Sequence, residues 1–211
     1  MFGIENYGLF LLSGVLLNIT PGSDTLYILG RSISQGRKAG IMSVLGISSG
    51  ILVHTLLVAM GLSVLLARSA LAFNALKYLG AAYIIYLGGR AWFAKTEGLA
   101  FQTNLTPDSP LKIYGQGVLN NVLNPKVALF FLAFLPQFVA KDNACGPLPF
   151  ILLGLTFVTT GTLWCLSLAF FSSLATARLR GNQRIAALLN KLTGILFVAL
   201  GLSLLRAKAA H

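Results

Sequence analysis

Six runs of apolar residues dominate the chain, at residues 7–29, 40–66, 71–91, 115–139, 149–174 and 187–205. A helix needs about 20 mostly apolar residues to cross a bilayer, and each run is near that length or beyond it. The runs are continuous rather than alternating, which predicts helices and not barrel strands. The second and fifth are the cleanest, with no Asp, Glu, Lys or Arg between residues 40 and 67 or between 146 and 177. The first and fourth are interrupted by asparagine, proline and charge. The longest connector, residues 92–114, reads as a polar loop with Pro107 and Pro110. The opening residues carry Glu5 and neither Lys nor Arg, so they lack the basic region of a signal peptide, and the first run is expected to stay as a span. Residues 1–211 are thus expected to form one integral membrane domain: all-α, six transmembrane helices, with the first and fourth broken.

Composition supports this. Apolar residues make up 56% and charged residues 10%, against about 45–50% and about 25% in soluble domains. Mean hydropathy is +0.80. These values exclude intrinsic disorder, and two cysteines, Cys145 and Cys165, exclude a disulfide scaffold. The net charge of +11 does not indicate nucleic acid, because the basic residues sit between apolar runs. Arg31, Arg37, Lys38, Arg90, Lys95, Lys112, Arg178, Arg180 and Arg184 fall in the odd-numbered connectors; Arg68, Lys141, Arg206 and Lys208 fall on the other side. The excess places the odd connectors in the cytoplasm and both termini outside.

The halves echo each other. Lys77-Tyr-Leu-Gly80, followed by Gly88, resembles Lys191-Leu-Thr-Gly194, followed by Gly201. The first run holds Asn18 and Pro21, the fourth Asn121, Asn124 and Pro125. Three spans per half is odd, so a repeat of this kind is a 3+3 inverted repeat. Inverted repeats with broken first helices recur among transporters.

The first break reads Leu17-Asn18-Ile19-Thr20-Pro21-Gly22-Ser23-Asp24-Thr25. Pro21 has no N–H, so the Leu17 carbonyl loses its helical donor. Gly22 lets backbone turn and approach a ligand. Irregular backbone at this depth survives only inside protein or beside a wet cavity. Asp24 lies about 8 Å inside the cytoplasmic end of its span, at 1.5 Å per residue. A carboxylate there costs roughly 2.5–3.5 kcal/mol on insertion scales, which marks it as the proton handle of the chain. The second break reads Asn120-Asn121-Val122-Leu123-Asn124-Pro125-Lys126. Pro125 suits the first turn of a new helix. The positive end of that helix, with Lys126, would seat a carboxylate. The bland alternatives are proline kinks and a static Asp24–Lys126 pair.

His54, in the second run, is expected to hydrogen-bond a neighbouring helix, with proton relay as a secondary role. Gly46-Ile-Ser-Ser-Gly50 is a small-xxx-small pattern that suits close helix packing. Tyr78, Tyr83, Tyr86 and Trp92 read equally as interfacial anchors and as cavity walls. The sequence offers no metal-ligand cluster, no phosphate-binding loop and no nucleophile–base arrangement, so no catalytic residue, metal or cofactor is expected.

At these two breaks the chain resembles the LysE superfamily, specifically the RhtB-type amino-acid exporters. The likeness rests on Asn18-Ile-Thr-Pro21-Gly22-Ser23-Asp24, Gly30-Arg31, Gly36-Arg37-Lys38-Ala39-Gly40, Gly80-Ala-Ala-Tyr83, Tyr86-Leu-Gly88 and Asn124-Pro125-Lys126, and extends through Phe134-Leu135-Pro136-Gln137-Phe138. Ser23 departs from the pattern, which usually has a second proline there. The resemblance implies a multi-pass protein of the bacterial inner membrane. Its implied function is proton-driven efflux of threonine-, homoserine- or leucine-like amino acids. The substrate-binding candidates are Asn18, Pro21, Gly22, Asp24, Asn121, Asn124, Pro125 and Lys126; Asp24 and His54 are the candidates for proton coupling. The expected partners are an amino acid, protons and lipid, with self-association into a homo-oligomer left open. A passive channel and, more remotely, an intramembrane enzyme are the competing classes.

Overall fold

A computed structural model describes residues 2–62, 107–140 and 143–172, with individual helical positions between 78 and 93 and between 188 and 202. The described residues are helical apart from turns and one antiparallel bridge between Ile4 and Val139. The helices are α1 (Tyr7–Ile19), α2 (Ser23–Gln35), α3 (Arg37–Leu57), α4 (Pro110–Val122), α5 (Pro125–Leu129) and α6 (Leu148–Phe170). A π turn at Val58–Leu62 extends α3; a π turn at Phe130–Phe134 and a 3-10 turn at Leu135–Phe138 extend α5. Arg37–Gly61 and Leu148–Phe170 are long and apolar enough to cross a membrane, with mean hydropathy 2.0 and 1.8. The α1–α2 pair reads as one span bent by 48°, and α4 with the α5 segment as one bent by 47°. Both expected breaks are therefore present. Most of the third and sixth runs, 71–91 and 187–205, lies outside the described residues, as does Tyr83.

Local chemistry sets the boundaries. Ser109 caps α4 by accepting from the Lys112 N–H at 3.4 Å, and Pro110 takes the first position, where a missing N–H costs nothing. Residues 110–114, expected as loop, are therefore helix. Gly36, at φ +81°, lies in the left-handed region and reverses α2 into α3 within one residue. The connector expected between residues 29 and 40 thus shrinks to a single glycine, and Arg31 becomes a residue of α2 rather than of a loop.

Helix α3 is central. It runs parallel to α4: the Tyr114 hydroxyl donates to Ser49 Oγ at 2.8 Å, Gly46 meets Gly117, and Gly50 meets Asn121. It runs antiparallel to α6, where Ser48 and Thr162 share a 2.7 Å hydroxyl bond and Gly154 abuts Thr55. Without a hydrophobic drive between helices in lipid, close backbone approach at small residues supplies the contact. The core beside α1 and α5 is aromatic: Phe10, Phe130, Phe131, Phe134, Phe138 and Phe157 are buried, with ring centroids 4.7–6.0 Å apart. Between the third and sixth runs, Gly88 lies against Gly194 and Val198, and Gly201 against Ala81 and Ile85. Tyr78, Tyr86 and Trp92 are exposed on the protein surface.

Gly46 is the tightest point of the α3–α4 contact, since a Cβ there would collide with the Tyr114 backbone carbonyl. Gly46→Ala should destabilise the protein by the upper part of the roughly 1–3 kcal/mol range for overpacking, because backbone cannot step aside. Gly115→Ala, where a Cβ meets nothing within 4 Å, should not lower the melting temperature in detergent and should raise it slightly, since alanine favours a helix interior by about 0.5–1 kcal/mol.

Candidate functional site

The two breaks meet. Asp24 stands in the first turn of α2, and its carboxylate is held by the end of α4: Asn120 Nδ2 donates to Oδ1 at 2.8 Å, and Asn121 Nδ2 donates to Oδ2 at 2.9 Å. Lys126 stands in the first turn of α5, and its ammonium is held by the end of α1: Nζ donates to the Leu17 carbonyl at 2.8 Å and to the Thr20 carbonyl at 2.9 Å. Each charge thus belongs to one broken helix and is bound by the other. They form no ion pair with each other. The Leu17 carbonyl is the one that Pro21 deprives of a helical donor, and a side chain 109 residues away replaces it.

These groups line a small cavity of about 30 Å³. Asn18, Thr20, Gly22, Asp24, Thr25, Asn124, Lys126 and Cys165 supply its polar wall; Leu17, Ile47, Ile51, Val127, Phe157 and Gly161 supply the apolar one. A water needs about 10–15 Å³ by this measure, so the space suits one to three waters and no amino acid. Asn18 Nδ2 donates to Thr160 Oγ1 on α6 at 3.2 Å. Asn124 caps α5, its Oδ1 accepting from the Lys126 N–H at 3.0 Å. No side chain caps α2, whose first turn opens on the cavity beside Gly22.

A polar seam continues from the cavity along α2. Asp24, Tyr27, Arg31 and Gln35 share one face, at intervals of three to four residues. The Tyr27 hydroxyl donates to the Ile113 carbonyl at 2.7 Å and to Gln116 Oε1 at 3.2 Å. Arg31, buried, donates to Gln116 Oε1 at 2.7 Å and to Asp108 Oδ2 at 2.6 Å. Gln35 Oε1 accepts from the Asp108 N–H at 3.1 Å, and Lys112 pairs with Asp108 Oδ1 at 2.6 Å. The hydrogen bonds from Lys112 and Arg31 hold the Asp108 carboxyl below the usual carboxylate range. At the opposite end, the Phe cluster closes the space between α1 and α5. The Glu5 N–H donates to the Phe138 carbonyl and the Ala140 N–H to the Gly3 carbonyl, each at 2.8 Å, tying the outer ends of the two broken spans together.

The model of the LysE type translocator family matches residues 15–208, nearly the whole chain and both breaks. The chain belongs to that family. Relatives include the membrane protein YrhP of Bacillus subtilis, 33% identical over 89% of this chain and 92% of its own length. A homoserine/homoserine lactone efflux protein of Salmonella typhimurium is 31% identical over 95% of this chain and 96% of its own. A membrane protein of Vibrio cholerae is 32% identical over 95% and 96%. No solved structure matches the chain. As a LysE type translocator it is a membrane transporter and not a member of an enzyme family.

Among the residues singled out in this translocator's sequence, Asn18, Gly22, Asp24, Asn124 and Lys126 line the cavity. Pro21 and Pro125 shape the breaks without lining it, and Pro125 is exposed. Asn121 stands one layer behind, fully buried, reaching the site through Asp24. His54 stands a further layer back: its Nε2 is 3.2 Å from the Asn121 carbonyl oxygen, and its ring stacks on Phe131 at 5.8 Å. Ser23 is exposed in the first turn of α2, and the break is formed without a second proline. The carboxylate seat expected at Lys126 is differently arranged. The ammonium is committed to carbonyls, α5 is only five residues long, and Asn124 already takes its first N–H. Sequence reasoning missed Asn120 as a partner of Asp24, along with Thr20, Thr25 and Cys165 in the wall. It also counted Arg31 as a loop charge; the three-to-four-residue spacing of Asp24, Tyr27, Arg31 and Gln35 was the signal that could have placed it.

A carboxyl whose folded pKa is depressed adds stability above its ordinary pKa, 3.8 for Asp108, and that stability is lost as pH falls through the folded value. Asp108→Asn should therefore remove part of the acid sensitivity of unfolding. At pH 7 the variant should melt several degrees below wild type, because the Arg31 guanidinium stays buried without its counter-charge. The two proteins should converge once the pH has fallen below the depressed folded value. Melting curves across pH in detergent check both.

Proposed function

We propose that the chain exports small zwitterionic amino acids of the homoserine type from the cytoplasm, in exchange for protons, across the bacterial inner membrane. The observation that carries the reading is the reciprocal hold of Asp24 and Lys126 across two broken spans, around a small cavity. Membership of a translocator family and the efflux protein among its relatives support the direction and the substrate class. A space too small for an amino acid, at about 30 Å³, favours a carrier over an open channel.

Asp24 is the proton-carrying group in this reading. It is the acidic residue in the cavity wall, and the groups that hold it are amides, which do not titrate. An asparagine presents N–H₂ on one side and C=O on the other. Turning the Asn120 or Asn121 amide by 180° lets it accept from a protonated carboxyl, so the pair holds Asp24 in both states. His54 acts through Asn121 and orients it.

The α2–α4 seam is the path to the cytoplasm. Its polar contacts exchange for water at about 0.5–3 kcal/mol each. Baring one phenylalanine of the opposite cluster to water costs about 1.5–3 kcal/mol, and six are buried there. A seam whose polar contacts water can replace suits a carrier loaded from within. The six-span, 3+3 inverted arrangement completes the proposal. The parallel course of α3 and α4 calls for an odd number of crossings between them, as the six-span reading expects. The matched bends and the glycine contacts of Gly88, Gly194 and Gly201 support the pairing of halves.

In proteoliposomes loaded with homoserine, an imposed pH gradient should drive efflux by the wild-type protein. Asp24→Asn should fold normally and lose the gradient-driven component down to the protein-free background. Unchanged gradient dependence in that variant would take Asp24 out of the coupling step.

A further inference from the structure

We propose that the Leu17 and Thr20 carbonyls form the seat for the substrate's α-ammonium group, and that Lys126 is a tethered stand-in that fills this seat between substrates. The inference rests on the zwitterion-export reading and deepens it.

The seat is made by the break. Pro21 frees the Leu17 carbonyl, and Thr20, extended at φ −64°, ψ 121°, turns its own carbonyl out of the helix. Both converge on one nitrogen, at 2.8 and 2.9 Å. They lie at the C-terminal, negative end of the α1 dipole, the end of a broken helix that attracts a cation. Lys126 reaches it from α5, passing Gly22, where a Cβ would stand 3.6 Å from Nζ. Two of its three N–H bonds are spent on carbonyls, so what is recognised is an N–H-bearing cation and not charge alone.

The size of the cavity requires the exchange. At about 30 Å³, the space is too small for an amino acid while the lysine lies beside it. A substrate enters only as the lysine withdraws, and its own ammonium then takes over the two carbonyls. Charge stays balanced at each stage. Without substrate, Lys126 offsets Asp24; with a zwitterion bound, the displaced ammonium lies within the same chamber as the incoming carboxylate. The class admitted is therefore small primary ammonium carboxylates. A quaternary nitrogen has no N–H to give and is refused.

The experiment removes the stand-in. Full-length Lys126→Ala is titrated with methylammonium or ethylammonium chloride, and with tetramethylammonium chloride, while thermal unfolding is followed in detergent. Primary alkylammonium should raise the variant's melting temperature by several degrees, saturably; tetramethylammonium should not, and neither should shift wild type, whose seat is filled. If the variant does not survive extraction, the same salts are present during solubilisation, and recovery of monodisperse protein is the readout. Equal effects of all the ions, equal effects on wild type, or no rescue by any of them overturns the seat. Homoserine efflux by the wild-type protein is measured in parallel. Efflux without alkylammonium rescue overturns the seat and leaves the export reading; rescue without efflux keeps the seat and overturns that reading.

Discussion

A backbone carbonyl without a donor is costly inside a bilayer, where water does not make good the loss. Pro21 creates such a carbonyl at Leu17, and Lys126 from the other broken span satisfies it. The carboxylate of Asp24 raises the converse problem, and Asn120 and Asn121 answer it from the other break. Each defect is thus repaired by the partner defect. Neither helix could be straightened independently: restoring one would leave the other's charged group buried without partners. The rest of the site follows from this mutual repair, including the small cavity between the two breaks and the polar groups in its wall.

The packing of α3 makes the repair geometrically feasible. The glycines at 46 and 50 bring α3 against α4, with Asn121 seated at Gly50. On the opposite flank, Ser48, Thr55 and Gly154 fix α6, which carries Phe157, Gly161 and Cys165 to the cavity. The central helix contributes mainly close contact to the site, and the irregular helices around it contribute the chemistry. This division suits a protein whose function needs polar groups at membrane depth and whose stability needs them few and paired.

Much of this was legible in the sequence, for identifiable reasons. Proline and glycine act locally, so the breaks at Pro21 and Pro125 and the loss of the Leu17 donor could be read from neighbouring residues alone. The same holds for Gly46 and Gly50, where spacing implies a flat helix face. What escaped was non-local. Asp108 is 77 residues from Arg31, and without that partner an arginine just past an apolar run reads as a loop charge. Lys126 was expected to face a carboxylate because its own helix end is positive; its placement depends on where α1 ends, which no local pattern records. Asn120 and Asn121 are adjacent on α4, and it is the approach of α2 that brings Asp24 between their two amides.

The two thiols lie in opposite surroundings. Cys145 is exposed on the turn before α6, and Cys165 forms part of the chamber wall among the groups that line the two breaks. The chain holds no third cysteine. Replacing the exposed one would leave a single native sulfhydryl in the cavity wall, a reporter with which a membrane-impermeant reagent can read from which face the proposed carrier opens.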